Sequence, residues 1–183
     1  MDKRYRSDFK RFKRINKFLK GKEILDIGSS EGFVHGLLKK SNPNKKIYSL
    51  DMKNSDFNID LNKINWKIRK KFDTVIAGEI IEHLENPKKF LENCKKLLKK
   101  QGILILTTPN AAGLQYILNP SWCVEGHNFA FTMPMLNKLL NNQGLKILHN
   151  EFINAFWVNN PLQIIPYFFP KLKTDLLIVS KKD

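Results

Sequence analysis

Cysteine is scarce in this chain of 183 residues: only Cys94 and Cys123 occur, far apart and without Cys or His neighbours at zinc-binding spacing. That excludes a disulfide framework and a zinc knuckle, and two free thiols are expected. Long apolar runs are missing as well. No uncharged stretch approaches the roughly 20 residues of a membrane-spanning helix, and the N-terminal MDKRYRSDFKRFKR lacks the apolar centre of a secretory signal. A soluble, cytoplasmic protein is expected. Arginine is the third scarcity. The net charge is +15, but only five of the 32 basic residues are Arg, and 19 Asn accompany the lysines. Bidentate reading of phosphate and guanine favours Arg, so a bias toward Lys and Asn accounts for the charge without a polyanionic partner.

The charge is unevenly placed. Residues 1–22 hold ten Lys/Arg and two Asp, a net +8. Tyr5, Phe9, Phe12, Ile15 and Leu19 recur there at three- and four-residue spacing, which predicts an amphipathic helix with a basic outer face. Such a helix either packs its aromatic stripe on the domain or serves as a lid or docking element.

With 42% apolar residues, the length suits one domain with a full core. Strands are predicted at 23–27, 46–52, 72–78, 103–108, 145–152 and 175–181, and helices at 31–40, 86–101 and 133–143. Alternation of the two implies a doubly wound α/β fold with a mostly parallel sheet. Asn86 caps the 86–101 helix, Pro87 opens it and Gly102 follows its end. The connections 109–131 and 153–173 are too long for simple turns, and the substrate is expected on that side.

One turn is built for a ligand. EILDIGSSEGFVHGLL is a strand ending near Asp26, then Gly28, Ser29, Ser30 and Gly32, then a helix. Glycine admits a sharp turn and close backbone approach, and a helix N-terminus favours negative charge. A second strand ends at Asp51, where a carboxylate can accept both hydroxyls of a ribose. A nucleoside-bearing cofactor follows, lying beyond the carboxyl ends of the strands. The dinucleotide fingerprint fails at Ser30 and Phe33, which disfavours nicotinamide and flavin cofactors.

Four stretches in order, LDIGSSEG, SLDMK, FDTVIAGEIIEHLENPKKFLENCKKLLKKQGILILTTPN and GHNFAFTMPMLNKLLNNQGLKI, resemble the class I S-adenosylmethionine-dependent methyltransferases. They are most similar to the branch of ubiquinone-type and small-molecule or glycan methyltransferases. The resemblance covers about residues 20–152 and implies a Rossmann-like, seven-stranded sheet with an antiparallel last strand. It also implies S-adenosylmethionine as cofactor. It puts the methionine part against Gly28 to Gly32, with Asp26 bracing the loop. Asp51 would take the ribose and Met52 the adenine face, with Asp60 and Leu61 at the adenine amino edge and Gly78 and Glu79 at the methionine amine. Ser30 stands where the family has a glycine, which narrows the pocket.

Methyl transfer needs a general base only when the acceptor is un-ionised. His127, in the loop after TTPN, is the candidate; a loop histidine bonded to backbone is the alternative. His83 is read as ordering the loop, and His35 and His149 as structural. Thr108-Pro109-Asn110 replaces the Pro-Pro-aromatic motif of aminopurine methyltransferases, no Pro-Cys nucleophile exists, and no acidic trio suggests magnesium, so no metal site is assigned. The expected acceptor is a small molecule, lipid or glycan. The alternatives are RNA or protein docked on the basic N-terminal helix, or a non-catalytic cofactor-binding partner subunit. AFWVNNPLQIIPYFFPKLK can form an apolar acceptor pocket, rest on a membrane or fold onto the sheet edge.

Overall fold

The computed structural model describes residues 3–29, 32–123, 126–153 and 164–182. Seven strands make one sheet: β1 (Glu23–Ile27), β2 (Lys46–Asp51), β3 (Phe57–Asn58), β4 (Phe72–Gly78), β5 (Leu98–Pro109), β6 (Leu145–Ile153) and β7 (Asp175–Lys182). Their order is β3-β2-β1-β4-β5-β7-β6. The first five are parallel, and β7 runs antiparallel between β5 and β6. The helices are α1 (Lys3–Phe18), α2 (Phe33–Ser41), α3 (Pro87–Leu97), α4 (Leu114–Leu118), α5 (Met133–Asn142) and α6 (Ile165–Phe168).

The period-2 alternation of each strand sorts its apolar residues onto two faces. Leu25, Val75, Leu104 and Leu106 pack with α3 and α5 through Phe90, Leu91, Leu136 and Leu140. Ile24, Ile76, Ile103 and Ile105 pack with Phe12, Ile15 and Leu38 of α1 and α2 on the other face. The apolar stripe of the N-terminal helix therefore serves the core. Burial on both faces is why the central strands read as continuous apolar runs.

Two expectations are corrected. The helix predicted over 86–101 ends at Leu97, because Leu98 turns extended, is buried, and pairs with Phe72 to begin β5. Gly102 is thus no helix stop: a Cβ there would lie 2.9 Å from the Lys99 carbonyl oxygen, beside Gln101 at φ 62°. The seventh strand, β3, is two residues long and carries no apolar run that could announce it. Of the long connection 153–173, residues 154–163 lie outside the described residues; the rest holds α6 and a 3-10 turn at Pro170–Leu172. Cys94 is a buried free thiol, its pKa raised by that burial, and the Cys123 side chain lies outside the described residues.

Candidate active site

The parallel strands all deliver their carboxyl ends to one edge, and there a cavity of about 480 Å³ opens. Its walls come from the β1 to α2 turn (Asp26, Gly28, Ser29, Gly32), the end of β4 (Gly78, Glu79), Thr107 of β5, and one stripe of α1 (Asp8, Arg11, Ile15). Gly28 holds φ +73°, and its N–H donates to the Leu50 carbonyl at 2.8 Å. A Cβ there would come within 3.1 Å of the Ile80 side chain, so the turn needs glycine. Gly32 precedes α2 and donates to the Ser29 carbonyl at 2.6 Å. Ser30, between them, lies outside the described residues.

Charge in the cavity is arranged in two pairs. Arg11 sits 3.0 Å from Glu79 Oε2 and also pairs with Asp8. Burial opposes its charge, but Glu79, Asp175 and Asp8 together hold its pKa above the ordinary value, so it stays a cation. Burial pushes the Glu79 carboxyl up while Arg11 pulls it back. The second pair is Asp26 with His35 Nδ1 at 3.0 Å. Burial raises the Asp26 carboxyl, and His35 opposes the rise. Ser29 Oγ and His35 Nε2 are buried without a hydrogen-bond partner, and both residues line the cavity. Unpaired polar atoms in such a place await a polar ligand.

Other expected residues are placed unevenly. Asp51 ends β2 beside β1, close enough for its charge to act on Asp26, and its Oδ1 accepts from the Met52 N–H at 2.7 Å. It does not line the cavity itself. Met52 is exposed. Asp60 is half-buried and accepts from the Asn62 N–H at 3.0 Å, whereas the Leu61 side chain is part of the core, leaving only its backbone for a ligand.

Beyond Glu79 a 3-10 turn, Ile81–His83, leads to a second cluster. His83 Nδ1 meets the Gly126 carbonyl at 2.6 Å, and the Glu82 carbonyl accepts from the N–H groups of Asn128 (2.8 Å) and Phe129 (3.0 Å). This pair orders the loop, as expected of His83. The loop carries His127 to within 4.8 Å of the His83 ring, centroid to centroid, beside a small cavity lined by Pro109, Tyr116 and Phe129. Desolvation and His83 lower the His127 pKa, so its imidazole is neutral at neutral pH. Glu82 Oε2 accepts from Thr108 Oγ1 at 2.9 Å; Oε1 is buried, unbonded and 3.9 Å from His83 Nε2. Glu82, His83 and His127 offer ligand atoms within 4.8 Å of one another, a donor set able to hold a divalent cation. The sequence shows no acidic trio; this mixed one forms only through the fold.

Burial, with Glu79 second, pushes the Glu82 carboxyl up to about 8 from 4.5. The folded chain therefore keeps this proton to higher pH than the unfolded one. The stabilisation it contributes is complete below about pH 4.5 and is lost as pH rises toward 8. Glu82→Gln should remove that loss: the difference between variant and parent urea midpoints should grow in the variant's favour from about pH 5 to about pH 8.

Sequence reasoning missed Arg11, reading it as part of a solvated basic face. Its signal was present: Asp8, Arg11 and Ile15 share one helical stripe, flanking Phe12.

Residues 1–150 match the family described as a methyltransferase domain. The chain is 26% identical over 177 residues to a ubiquinone biosynthesis O-methyltransferase of Actinobacillus pleuropneumoniae, covering 76% of this chain and 75% of that one. It is 32% identical over 109 residues to its namesake in Rickettsia bellii, covering 52% of this chain and 45% of that one. Among solved structures, an S-adenosylmethionine-dependent methyltransferase from Archaeoglobus fulgidus shares the fold with TM-score 0.68 at 20% identity, over 94% of this chain and 91% of its own. One from Mesorhizobium loti does so with TM-score 0.65 at 14% identity, over 96% and 98%. The chain belongs to the S-adenosylmethionine-dependent methyltransferases, with S-adenosylmethionine as cofactor.

Proposed function

We propose that this chain, acting as one domain, methylates a hydroxyl of a small-molecule, lipid or glycan acceptor, with His127 as general base. The observation that carries the acceptor side is a neutral, half-buried His127 held against His83 over the carboxyl ends of the strands. The named O-methyltransferase relatives favour oxygen as the accepting atom.

When bound, the cofactor supplies a sulfonium methyl group. The protein itself has to hold the amino-acid end of that molecule, line up the acceptor and exclude water. Arg11 and Glu79 suit the holding of the amino-acid end, because a zwitterion entering between them gives its carboxylate to Arg11 and its ammonium to Glu79. Each buried charge trades one partner for another and none is left alone. Gly28, Ser29, Gly32 and Gly78 form the cradle, in whose sequence Ser30 falls, Asp26 braces it through His35, and Asp51, Met52, Asp60 and Leu61 make up the nucleoside side. Loss of the Asp51 carboxylate removes two charge-assisted bonds to ribose, each worth roughly 1.5 to 3 kcal/mol before water replaces it. Asp51→Ala should weaken S-adenosylhomocysteine binding at least roughly tenfold by calorimetry, with the fold intact.

A second reading rests on the unbonded Glu82 Oε1: a divalent cation on Glu82, His83 and His127 would lower the pKa of the acceptor hydroxyl. Assays with phenolic lipids, glycans, RNA and protein as acceptors, with and without chelator, test both. Transfer to a hydroxylated small molecule or lipid that survives chelation supports the base, and transfer abolished by chelator and restored by zinc or ferrous iron supports the cation. Transfer confined to RNA or protein would overturn both. That outcome is disfavoured by α1, whose Arg11 and Arg14 are committed to Glu79 and Glu151.

A further inference from the structure

Two segments at the His127 end carry apolar side chains outward. In and around α6, Tyr167 is 79% exposed, Phe168 67% and Phe169 62%, with Ile164 beside them. On α4, Ile117 and Leu118 are exposed, while the preceding Tyr116 is buried and lines the small cavity with His127. Both segments are fastened to one strand end. Asn110, just past β5, donates its side-chain amide to the carbonyls of Lys171 (3.0 Å) and Lys173 (2.8 Å), and its N–H to the Thr174 carbonyl (2.7 Å). Gly113, the cap of α4, donates to the Asn110 carbonyl at 2.8 Å and sits so near the Lys173 carbonyl that a Cβ would lie 2.8 Å from it. The outward apolar groups thus flank the acceptor side. A soluble surface seldom concentrates so many.

Charge decides what covers them. Between 109 and 123, and between 164 and 174, no acidic residue occurs, and the only charges are Lys171 and Lys173, directly after the aromatic triplet. A second copy would bring the same lysines against these, and the whole chain is +15. An anionic bilayer surface matches both features: aromatic side chains settle among the headgroups and the ammonium groups meet lipid phosphates. No helix among the described residues is long and apolar enough to cross a membrane, and α6 is only four residues long, so the contact is interfacial.

We propose that the α4 and α6 surfaces dock this methyltransferase on anionic membrane, with the His127 side facing the lipid from which a lipophilic acceptor enters. The inference rests on the lipid branch of the proposed function. Sedimentation with phosphatidylcholine vesicles, with and without phosphatidylglycerol, tests it. The parent should bind the phosphatidylglycerol vesicles. A variant with Tyr167→Ser, Phe168→Ser and Phe169→Ser should bind at least roughly tenfold more weakly, and one with Lys171→Ala and Lys173→Ala should lose roughly fivefold per lysine on anionic vesicles only. Both should bind S-adenosylhomocysteine as the parent does and keep transfer to a detergent-dispersed acceptor. A parent that ignores anionic vesicles, or an aromatic variant that binds them unchanged, overturns the proposal. So does an aromatic variant that turns a dimer into a monomer, which would make a second copy the occupant. Vesicle binding without transfer to any hydroxylated acceptor would remove the functional reading and leave the docking surface standing.

Discussion

Arg11→Ala should weaken S-adenosylhomocysteine binding by roughly 10² to 10³-fold, from the loss of one or two charge-assisted bonds of about 1.5 to 3 kcal/mol each. Among the described residues that line the cavity, Arg11 is the one Arg or Lys, beside Asp8, Asp26 and Glu79. Removing it leaves the ligand's carboxylate no cation to meet. Without Arg11 the buried Glu79 should take up a proton, as its burial already favours, and so lose its grip on the ammonium too. Arg11→Lys keeps the charge without the planar fork and should recover only part of the affinity. Calorimetric titration of the three proteins, with circular dichroism to confirm that α1 persists, checks this. Equal affinities would mean that the amino-acid end lies elsewhere.

His127→Ala should leave that affinity almost unchanged and lower turnover by roughly 10² to 10⁴, the usual worth of a positioned base. His127 belongs to the small cavity with Tyr116 and Phe129 and not to the large one, which is why binding and chemistry should separate. The base must be unprotonated to act. Desolvation and His83 hold its pKa below 6.5, so the parent's rate should rise with pH on the acid side with its midpoint below 6.5. A variant that loses little activity and keeps the same profile would reduce His127 to a loop residue.

Much of this was legible because β strands in a parallel sheet advertise themselves. β1 and β4 fall on the residues their apolar runs predict, and the GSSEG turn sits where the strand stops. What was hidden depends on contacts across the chain. The end of α3 is set by the pairing of Leu98 with Phe72, and a Lys-rich stretch reads as helix until that partner is known. Arg11 becomes a site residue because α1 lies over the strand ends, which no local pattern declares. Glu82, His83 and His127 meet only because the Ile81–His83 turn holds the loop near Gly126 by two backbone bonds and one ring nitrogen. Asp51 was legible as a strand-end carboxylate, and Ser30 as a departure from the family turn.

The central claim is that the cavity between the GSSEG turn, Glu79 and α1 binds S-adenosylmethionine. Thermal unfolding with added S-adenosylhomocysteine tests it most directly, since a ligand of the folded state at about 100 times its Kd adds roughly 2.7 kcal/mol. The midpoint should rise by roughly 5 to 10 °C in a chain of this size, and NADH should leave it unchanged. A melting curve indifferent to millimolar S-adenosylhomocysteine and S-adenosylmethionine, or one that NADH shifts as much, would contradict the account.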